Sequence, residues 1–292
     1  MSNTNGNTGL DKTVINWYPG HMEKTKRQIK ELSPLIDFVL ELIDARIPLS
    51  SRVMGIEDLI KGKTRILVMT KADLADTEET KKWIEKYSKD GLDVITLDLT
   101  TQNSIKALIK KIDDITDKIN KTRKEKGLKP KSLRGLVIGI PNVGKSTLIN
   151  RLASKKVAGV GNIPGFTKQV TWLKAGNALL LDSPGILWPK FESEEVALNL
   201  ASMSAIKTDI LPIDDVAVHI LKKLHKYYKN TMEERYGIND LTFDIESAYT
   251  IIAKKIGALR NGEVDYEKVS MFIINDIKNE NISGITFDRV QK

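Results

Sequence analysis

A glycine-rich loop between an apolar segment and a helix-forming segment constrains the fold of this chain more than any other feature. Residues 139–146 read GIPNVGKS, which matches the pattern G-x-x-x-x-G-K-S in full. The loop follows the apolar stretch 135–140 and leads into residues 147–152, a segment typical of a helix. In such a loop, backbone N–H groups and the positive end of the helix surround phosphate groups. The chain is therefore predicted to bind a nucleotide by its phosphates, and a chance glycine-rich turn is the disfavoured alternative.

The last residues of this loop have defined chemical roles in a phosphate site. Lys145 is predicted to reach the outer phosphates, and the hydroxyl of Ser146 is predicted to ligate Mg²⁺. The other predicted nucleotide contacts of this segment are Asn142, Val143, Gly144 and Thr147.

Two elements downstream of the loop complete a site that senses the terminal phosphate. Residues 182–185 read DSPG, in which Asp182 is predicted to hold Mg²⁺ and the N–H of Gly185 to contact the terminal phosphate. Thr167 lies between the two motifs and is predicted to cap Mg²⁺ and the terminal phosphate when its loop is ordered. Either element alone indicates little, and their position after the phosphate loop favours the functional interpretation.

A third motif predicts which base is bound. Thr70, Lys71 and Asp73 belong to the segment TKAD, at the end of a predicted strand. The Asp73 carboxylate can accept hydrogen bonds from guanine N1 and the exocyclic amine, a pair that adenine does not offer, so GTP and GDP are expected and an ATPase is disfavoured. Lys71 is expected to lie across the base. The usual pattern begins with Asn, and because Thr70 has no amide we expect weaker guanine binding with unchanged selectivity.

Thr100 and Thr101 follow the third predicted strand, where a backbone N–H usually meets the guanine carbonyl. Their segment matches the usual small-residue pattern poorly. Thr100 is the predicted contact.

The order of these motifs is unusual, because the base motif precedes the phosphate loop. Predicted strands alternate with predicted helices, which argues for a parallel sheet covered on both faces. The strands are 37–44, 65–69, 93–97 and 135–140, and the helices are 77–89 and 104–124. The same sheet forms if the termini of an ordinary GTPase are joined, here through the basic segment 121–131.

The predicted fold is therefore α/β, with a circularly permuted P-loop GTPase domain of three layers and a mostly parallel sheet over residues 14–190. An all-helical C-terminal domain is predicted over 191–292, and a disordered tail over 1–13. Residues 169–174 and 178–181 predict a hairpin. The segment after Asp182 is expected to change conformation with the state of the terminal phosphate. Because this segment leads into the helical domain, its motion is expected to reorient that domain.

The net charge of +8 is unevenly distributed. Residues 1–192 contain 33 Lys and Arg against 22 Asp and Glu, whereas residues 193–292 contain 13 against 16. The densest stretch, 118–134, has eight basic residues and one acid. Such a run is more often a solvated face or a linker, and nucleic-acid backbone is the specific alternative. The chain has no cysteine and no apolar run near the ~18 residues of a membrane span, which fits a cytoplasmic protein.

The motif order, together with WYPGHM at 17–22, DARIP at 44–48 and DSPGILWPK at 182–190, resembles the circularly permuted ribosome-assembly GTPases. The resemblance extends over nearly the whole chain beyond the tail. It implies a GTP-hydrolysing factor that acts late in assembly of the large ribosomal subunit, binding the precursor particle and rRNA in its GTP form. The alternative is a GTP-regulated RNA-binding module in which hydrolysis is incidental. A monomer is the favoured state.

The resemblance also implies roles for individual residues. Ile186 stands where many GTPases have a water-positioning Gln, and the family is thought to use the His of its PGHM motif, here His21, whereas a structural role is the alternative. Asn142 resembles the Asn that ligates K⁺ in potassium-dependent GTPases. The C-terminal domain is implicated in RNA contact, with a solvated helix face as the equal alternative. The candidate residues there are Lys222, Lys223, Lys226 and Lys229, with His225 and Tyr227.

Overall fold

The computed structural model describes residues 27, 29–58, 60–153, 157–161, 170–182, 193–206, 211–239 and 243–291, with the backbone alone at 153, 157–161, 170, 171 and 182. The strands are β1 (Phe38–Asp44), β2 (Thr64–Thr70), β3 (Asp93–Leu97), β4 (Leu133–Gly139), β5 (Val157–Gly161), β6 (Val170–Ala175), β7 (Ala178–Asp182), β8 (Leu259–Arg260) and β9 (Glu263–Val264). The helices are α1 (Thr77–Lys89), α2 (Gln102–Glu125), α3 (Lys145–Ala153), α4 (Glu194–Ser202), α5 (Ile213–Tyr227), α6 (Lys229–Tyr236), α7 (Ile245–Ile256) and α8 (Tyr266–Lys278).

One seven-stranded sheet organises the first two thirds of the chain, in the order β3-β2-β1-β4-β7-β6-β5. The first five strands of this order run parallel, and β6 and β5 are antiparallel to their neighbours. At the centre β1 pairs directly with β4, with Phe38 opposite Gly135. The segment with the base motif and the segment with the phosphate loop therefore form one sheet, which confirms the predicted mostly parallel α/β fold.

Apolar strands and capped helices account for the formation of the sheet and of the helices that connect its strands. Every residue of β1 is buried, as expected of a central strand covered on both faces. α1 begins where the Asp76 carboxylate accepts the N–H of Glu79, and α2 where the Thr101 hydroxyl accepts the N–H of Ser104. On α2 the buried residues recur at helical spacing, namely Ile105, Leu108, Ile112 and Ile115.

The edge of the sheet differs from the sequence prediction in one strand. The predicted hairpin is present as β6 and β7, but β5, which pairs with β6, was not predicted. The β5 sequence VAGVG contains two glycines, which weaken a strand pattern, and the pairing shifts register between Val157 and Gly159.

The C-terminal region is helical as predicted, apart from a two-stranded hairpin. β8 and β9 pair antiparallel around Asn261 and Gly262, whose φ angles are 52° and 89°. Positive φ at both central residues is the turn that Asn-Gly favours, so this dipeptide is a hairpin signal that the all-helical prediction missed. The predicted division near residue 190 stays a prediction, because residues 183–192 lie outside the described part of the chain.

The end of the chain returns to the parallel sheet. Residues 284–290, here called the C-terminal strap, pack against the loops that follow β1 and β2. Gly284 donates its N–H to Leu74 O at 2.8 Å, and Phe287 donates to Arg46 O at 2.7 Å. The strap therefore fixes the helical region against the two loops that border the base motif.

Asp288 is the most heavily bonded side chain of the strap. It is 7% exposed, and its carboxylate accepts hydrogen bonds from the N–H groups of Leu49 and Ser50, the Ser50 hydroxyl and the Asn199 amide, at 2.7–2.8 Å. Asn199 lies on α4, so Asp288 joins the helical region to the loop after β1.

Replacement of Asp288 by Ala is expected to lower the free energy of unfolding by about 3 kcal/mol, because several buried donors lose their acceptor. Urea denaturation followed by circular dichroism measures this change. The exposed Asp58→Ala is the matched control and should unfold as the wild type does. An Asp288→Ala protein with an unchanged urea midpoint contradicts the proposed role of the strap.

Candidate functional site

A cavity of about 380 Å³ lies at the carboxyl ends of the parallel strands, where ligands bind in open α/β sheets. Eight of the predicted nucleotide-binding residues line it, namely Lys71, Asp73, Thr100, Asn142, Gly144, Lys145, Ser146 and Thr147. Four lining residues were not predicted: Leu74, Asp98, Leu99 and Glu280. The fold thus brings the base motif and the phosphate loop, distant in sequence, to one cavity.

The phosphate loop has a conformation that only some residue types tolerate. Gly144 has φ 100°, and a Cβ atom at this position would lie 2.7 Å from Leu99 Cδ1. Asn142 adopts φ 57°, in the left-handed region that Asn enters more readily than most residues. The Lys145 ammonium donates to Gly139 O at 3.1 Å and to Ile140 O at 2.8 Å, so it is held over the loop with only 7% of the residue exposed.

A buried ion cluster supports Lys71. Lys71 Nζ lies 3.0 Å from Asp44 Oδ2, and the Asp44 carboxylate also binds the Arg46 guanidinium through Nε and Nη2. Burial acts to raise the pKa of Asp44, but Arg46 and Lys71 outweigh burial and hold this pKa well below its usual range. The anionic Asp44 therefore orients Lys71 in the wall of the cavity. Asp44 and Arg46 belong to the DARIP segment at 44–48, whose sequence pattern alone does not indicate this role.

Asp73 lies in the wall of the cavity and is available to a ligand. Partial burial raises the pKa of its carboxyl above the ordinary value, and the neighbouring carboxylates of Asp98 and Glu280 act in the same direction. Two hydrogen-bond donors on a ligand would stabilise the ionised form, and guanine offers such a pair.

Thr70 does not contact the cavity, contrary to the prediction that it takes part in nucleotide binding. It is fully buried, and its hydroxyl lies 2.6 Å from Val143 O and 3.0 Å from Ile43 O. Val143 is also buried, with 1% of its surface exposed. Thr70 thus joins the base motif to the phosphate loop. Because Thr70 lies below the cavity surface, we expect its lack of an amide group to act on this link and not on a direct contact with the base.

Replacement of Thr70 by Val is expected to lower the free energy of unfolding by about 1–2 kcal/mol and to weaken GTP binding several-fold, because Val143 O and Ile43 O lose a buried donor. Thermal denaturation and nucleotide titration measure both effects. Thr80→Val is the matched control, since the buried Thr80 hydroxyl has no hydrogen-bond partner among the described residues and its loss should be harmless. Equal behaviour of the two variants contradicts the tethering role.

The backbone of Thr100 does not present its N–H to a base. This N–H donates to Asp98 Oδ1 at 2.7 Å, and the N–H of Thr101 donates to Asp98 O at 3.3 Å. The contact with the guanine carbonyl therefore stays a prediction, because both N–H groups have internal partners in this structure. Thr100 still lines the cavity, and its carbonyl accepts a hydrogen bond from Arg151 at 2.8 Å.

The predicted metal-binding and catalytic residues are only partly described. His21, Thr167 and Gly185 lie outside the described residues, and of Asp182 only the backbone is described, at the end of β7 opposite Val137. Ser146 is exposed and lines the cavity. No cluster of three or more His, Asp or Glu side chains suited to a metal occurs within the described ranges.

Asn142 reaches from the phosphate loop to the helical region. Its Nδ2 donates to Ser204 O at 2.7 Å, just after α4. Because the amide nitrogen is directed at this carbonyl, Oδ1 is the remaining polar atom and is suited to a cation. The arrangement also gives the phosphate loop a direct bond to the helical region.

The predicted RNA-contact patch on α5 is smaller than the sequence indicated. Lys223 is 9% exposed and pairs with Glu195 at 2.5 Å. His225 stacks on Phe243 with ring centroids 4.0 Å apart, and Tyr227 lies under the Arg289 guanidinium. The exposed members are Lys222, Lys226 and Lys229.

In the part of the chain that is described, no helix is both long and apolar enough to cross a membrane.

Comparison with known proteins identifies similar chains of matching length. The profile of a family described as 50S ribosome-binding GTPase matches residues 134–248. Ribosome biogenesis GTPase A of Bacillus licheniformis is 43% identical over 278 residues, 94% of this chain and 98% of that protein. The protein of the same name from Thermotoga maritima is 32% identical, with 94% of each covered. Mitochondrial ribosome-associated GTPase 1 of Xenopus tropicalis is 32% identical over 85% of this chain and 82% of that one.

Solved structures agree with these sequence relatives. The GDP-bound structure of TM YlqF has a TM-score of 0.68 and 26% identity, covering 91% of this chain and 100% of that one. GNP-bound YlqF from T. maritima has a TM-score of 0.66 and 28% identity, covering 91% and 98%. The family profile begins at β4 and does not include the base motif at 70–73, in keeping with a permuted order.

Proposed function

Because the chain belongs to the ribosome biogenesis GTPase A family, we propose that this GTPase acts late in maturation of the large ribosomal subunit. In this proposal the GTP form binds the precursor particle and its rRNA, the large subunit stimulates hydrolysis, and the GDP form is released. The main observation in support is that Asp73 and Lys145 line one cavity, together with Glu280 of the helical region. The names of the relatives, which refer to ribosome biogenesis, support a ribosomal partner. The expected compartment is the cytoplasm, and the expected state is a monomer.

In this proposal, different residues of the cavity contact different parts of the nucleotide. Asp73 reads the guanine edge and Lys71 lies across the base, while Lys145 neutralises charge on the outer phosphates. Ser146, with Asp182 and Thr167, would hold Mg²⁺, for which hydroxyl and carboxylate oxygens are suitable ligands. These three residues would thereby hold an ion that neutralises charge on the phosphates when it is bound. Asn142 Oδ1 would ligate K⁺ at the same end, and Gly185 would contact the terminal phosphate.

Water positioning falls to His21 in this proposal. Ile186 follows Gly185 in the sequence, and a hydrocarbon side chain cannot orient a water molecule. A neutral imidazole can accept a proton from the attacking water or align it by a hydrogen bond. His21 is therefore the proposed catalytic residue that permits release after hydrolysis.

Hydrolysis can be transmitted to the helical region by two routes. The bond between Asn142 and Ser204 links the phosphate loop to α4, and the chain after Asp182 leads into the same region. Loss of the terminal phosphate would change the forces on both links. A change of particle affinity between the GTP and GDP forms is the expected result.

The His21→Ala variant separates this switch from an RNA-binding module in which hydrolysis is incidental. For a switch, the variant should bind GTP normally, hydrolyse it slowly and remain on large-subunit particles in a sedimentation assay. The exposed Glu267→Ala is the control and should be released as the wild type is. Release of His21→Ala at the wild-type rate would favour the RNA-binding module.

A further inference from the structure

Among the described helix ends, two place a residue other than glycine in the left-handed conformation. After a helix ends, the next residue often takes a left-handed conformation, for which glycine is preferred because it has no Cβ. The chain uses glycine in this way at positions 91, 127, 237 and 257. The exceptions are Ser204 after α4, with φ 57°, and Glu280 after α8, with φ 62°. A strained residue of this kind at a cavity is an indication of function.

Both exceptions border the nucleotide cavity. A second cavity of about 310 Å³ adjoins the first and shares Lys71, Asn142 and Glu280 with it, and Ser204 lines the second cavity. The conformation of Ser204 has a clear use, because its carbonyl accepts the Asn142 amide. Glu280 makes no comparable bond: its exposed carboxylate is attracted to Arg46, which also lines the second cavity, but it forms no hydrogen bond or ion pair with the residues that the structure describes.

The surroundings of Glu280 favour a ligand that donates hydrogen bonds. Glu280 lines the same cavity as Asp73, and its negative charge contributes to the raised pKa of Asp73. Two carboxylates in proximity repel each other unless donors lie between them. Lys71 is already paired with Asp44, and Arg46 with the same carboxylate. The missing donors are therefore expected on the ligand.

The chemistry of a guanine nucleotide narrows the choice of donor. The phosphates are anionic and would be repelled by Glu280. The N1–H and exocyclic amine of guanine are assigned to Asp73. The donors that remain near Lys71 are the two ribose hydroxyl groups, which carboxylates bind in other nucleotide sites.

We propose that Glu280 accepts a hydrogen bond from a ribose hydroxyl of the bound guanine nucleotide. The C-terminal region thereby supplies one wall of the nucleotide site, and a contact with the 2′-hydroxyl would also contribute to the selection of ribonucleotides over deoxynucleotides. This inference rests on the proposed nucleotide site, because it requires guanine to lie against Asp73.

Nucleotide titration with GTP, 2′-deoxy-GTP and 3′-deoxy-GTP tests the contact. The wild type should bind one of the deoxy analogues about tenfold more weakly than GTP, as expected for a hydrogen bond to a charged group. Glu280→Gln and Glu280→Gly should lose affinity for GTP and leave the affinity for that analogue unchanged. Glu267→Gln, at an exposed position of α8, is the control. The proposal is overturned if the Glu280 variants lose affinity equally for all three nucleotides, or if they bind GTP as tightly as the wild type does.

Thermal denaturation without nucleotide separates a binding role from a structural one. Glycine suits the left-handed conformation, so Glu280→Gly should melt at or above the wild-type temperature while it binds GTP more weakly. A lower melting temperature together with weaker binding of all nucleotides would mean that Glu280 acts through the fold, and this would also overturn the proposal. Failure of the underlying site is recognised separately, because Asp73→Asn would then leave the preference for GTP unchanged.

Discussion

The Asp73→Asn variant is expected to lose affinity for GTP by on the order of 100-fold or more and to gain affinity for xanthosine triphosphate. Asn can accept the N1–H of a purine, but its amide hydrogens clash with the exocyclic amine of guanine. Xanthine has a carbonyl oxygen in place of that amine, so the Asn amide can donate to it. Asp73 lines the cavity without being buried, which leaves its carboxylate free to define the base.

Fluorescence competition with GTP, xanthosine triphosphate and ATP measures this change of preference. Asp58→Asn is the matched control, since Asp58 is exposed and lies outside the cavity. If Asp73→Asn retains its preference for GTP, Asp73 does not read the base, and the motif at 70–73 has been misinterpreted.

The Lys145→Met variant is expected to lower GTP hydrolysis by about 100-fold or more. Methionine keeps most of the length and apolar character of the side chain but removes the ammonium group. In the structure this group is already held by Gly139 O and Ile140 O, so it is positioned before a nucleotide arrives. Little reorganisation is then needed to neutralise the outer phosphates.

Single-turnover hydrolysis of radiolabelled GTP measures this effect, with circular dichroism to confirm that the variant is folded. Lys110→Met, at an exposed position on α2, should hydrolyse GTP as the wild type does. Hydrolysis by Lys145→Met within a few-fold of the wild type contradicts the assigned role of the loop.

The parts of the fold that the sequence predicts are those that depend on local pattern. β1, β2 and β4 are short apolar runs, and α1 has a capping Asp76 and a regular spacing, so their limits follow from neighbouring residues. The Asn-Gly turn between β8 and β9 is also local, and it was missed because the flanking strands are only two residues long.

The contacts that the sequence does not predict join distant segments. Thr70 bonds to Val143 across 73 positions, and only the assembled sheet brings the two together. Glu280 reaches the cavity because the C-terminal strap draws α8 against the loop after β2. A sequence motif identifies residues of one loop that contact the nucleotide. It does not identify residues such as Glu280, which lie far away in the sequence and reach the cavity only in the folded chain.

The most direct test of the proposed function is steady-state GTP hydrolysis in KCl and Mg²⁺, with and without purified large ribosomal subunits and with small subunits as the control. We predict strong stimulation by large subunits alone, since the proposed switch completes its cycle on that particle. Tight GTP binding with no stimulation by large subunits would contradict the assembly-switch account, and would leave a GTPase whose activator is a different RNA or protein.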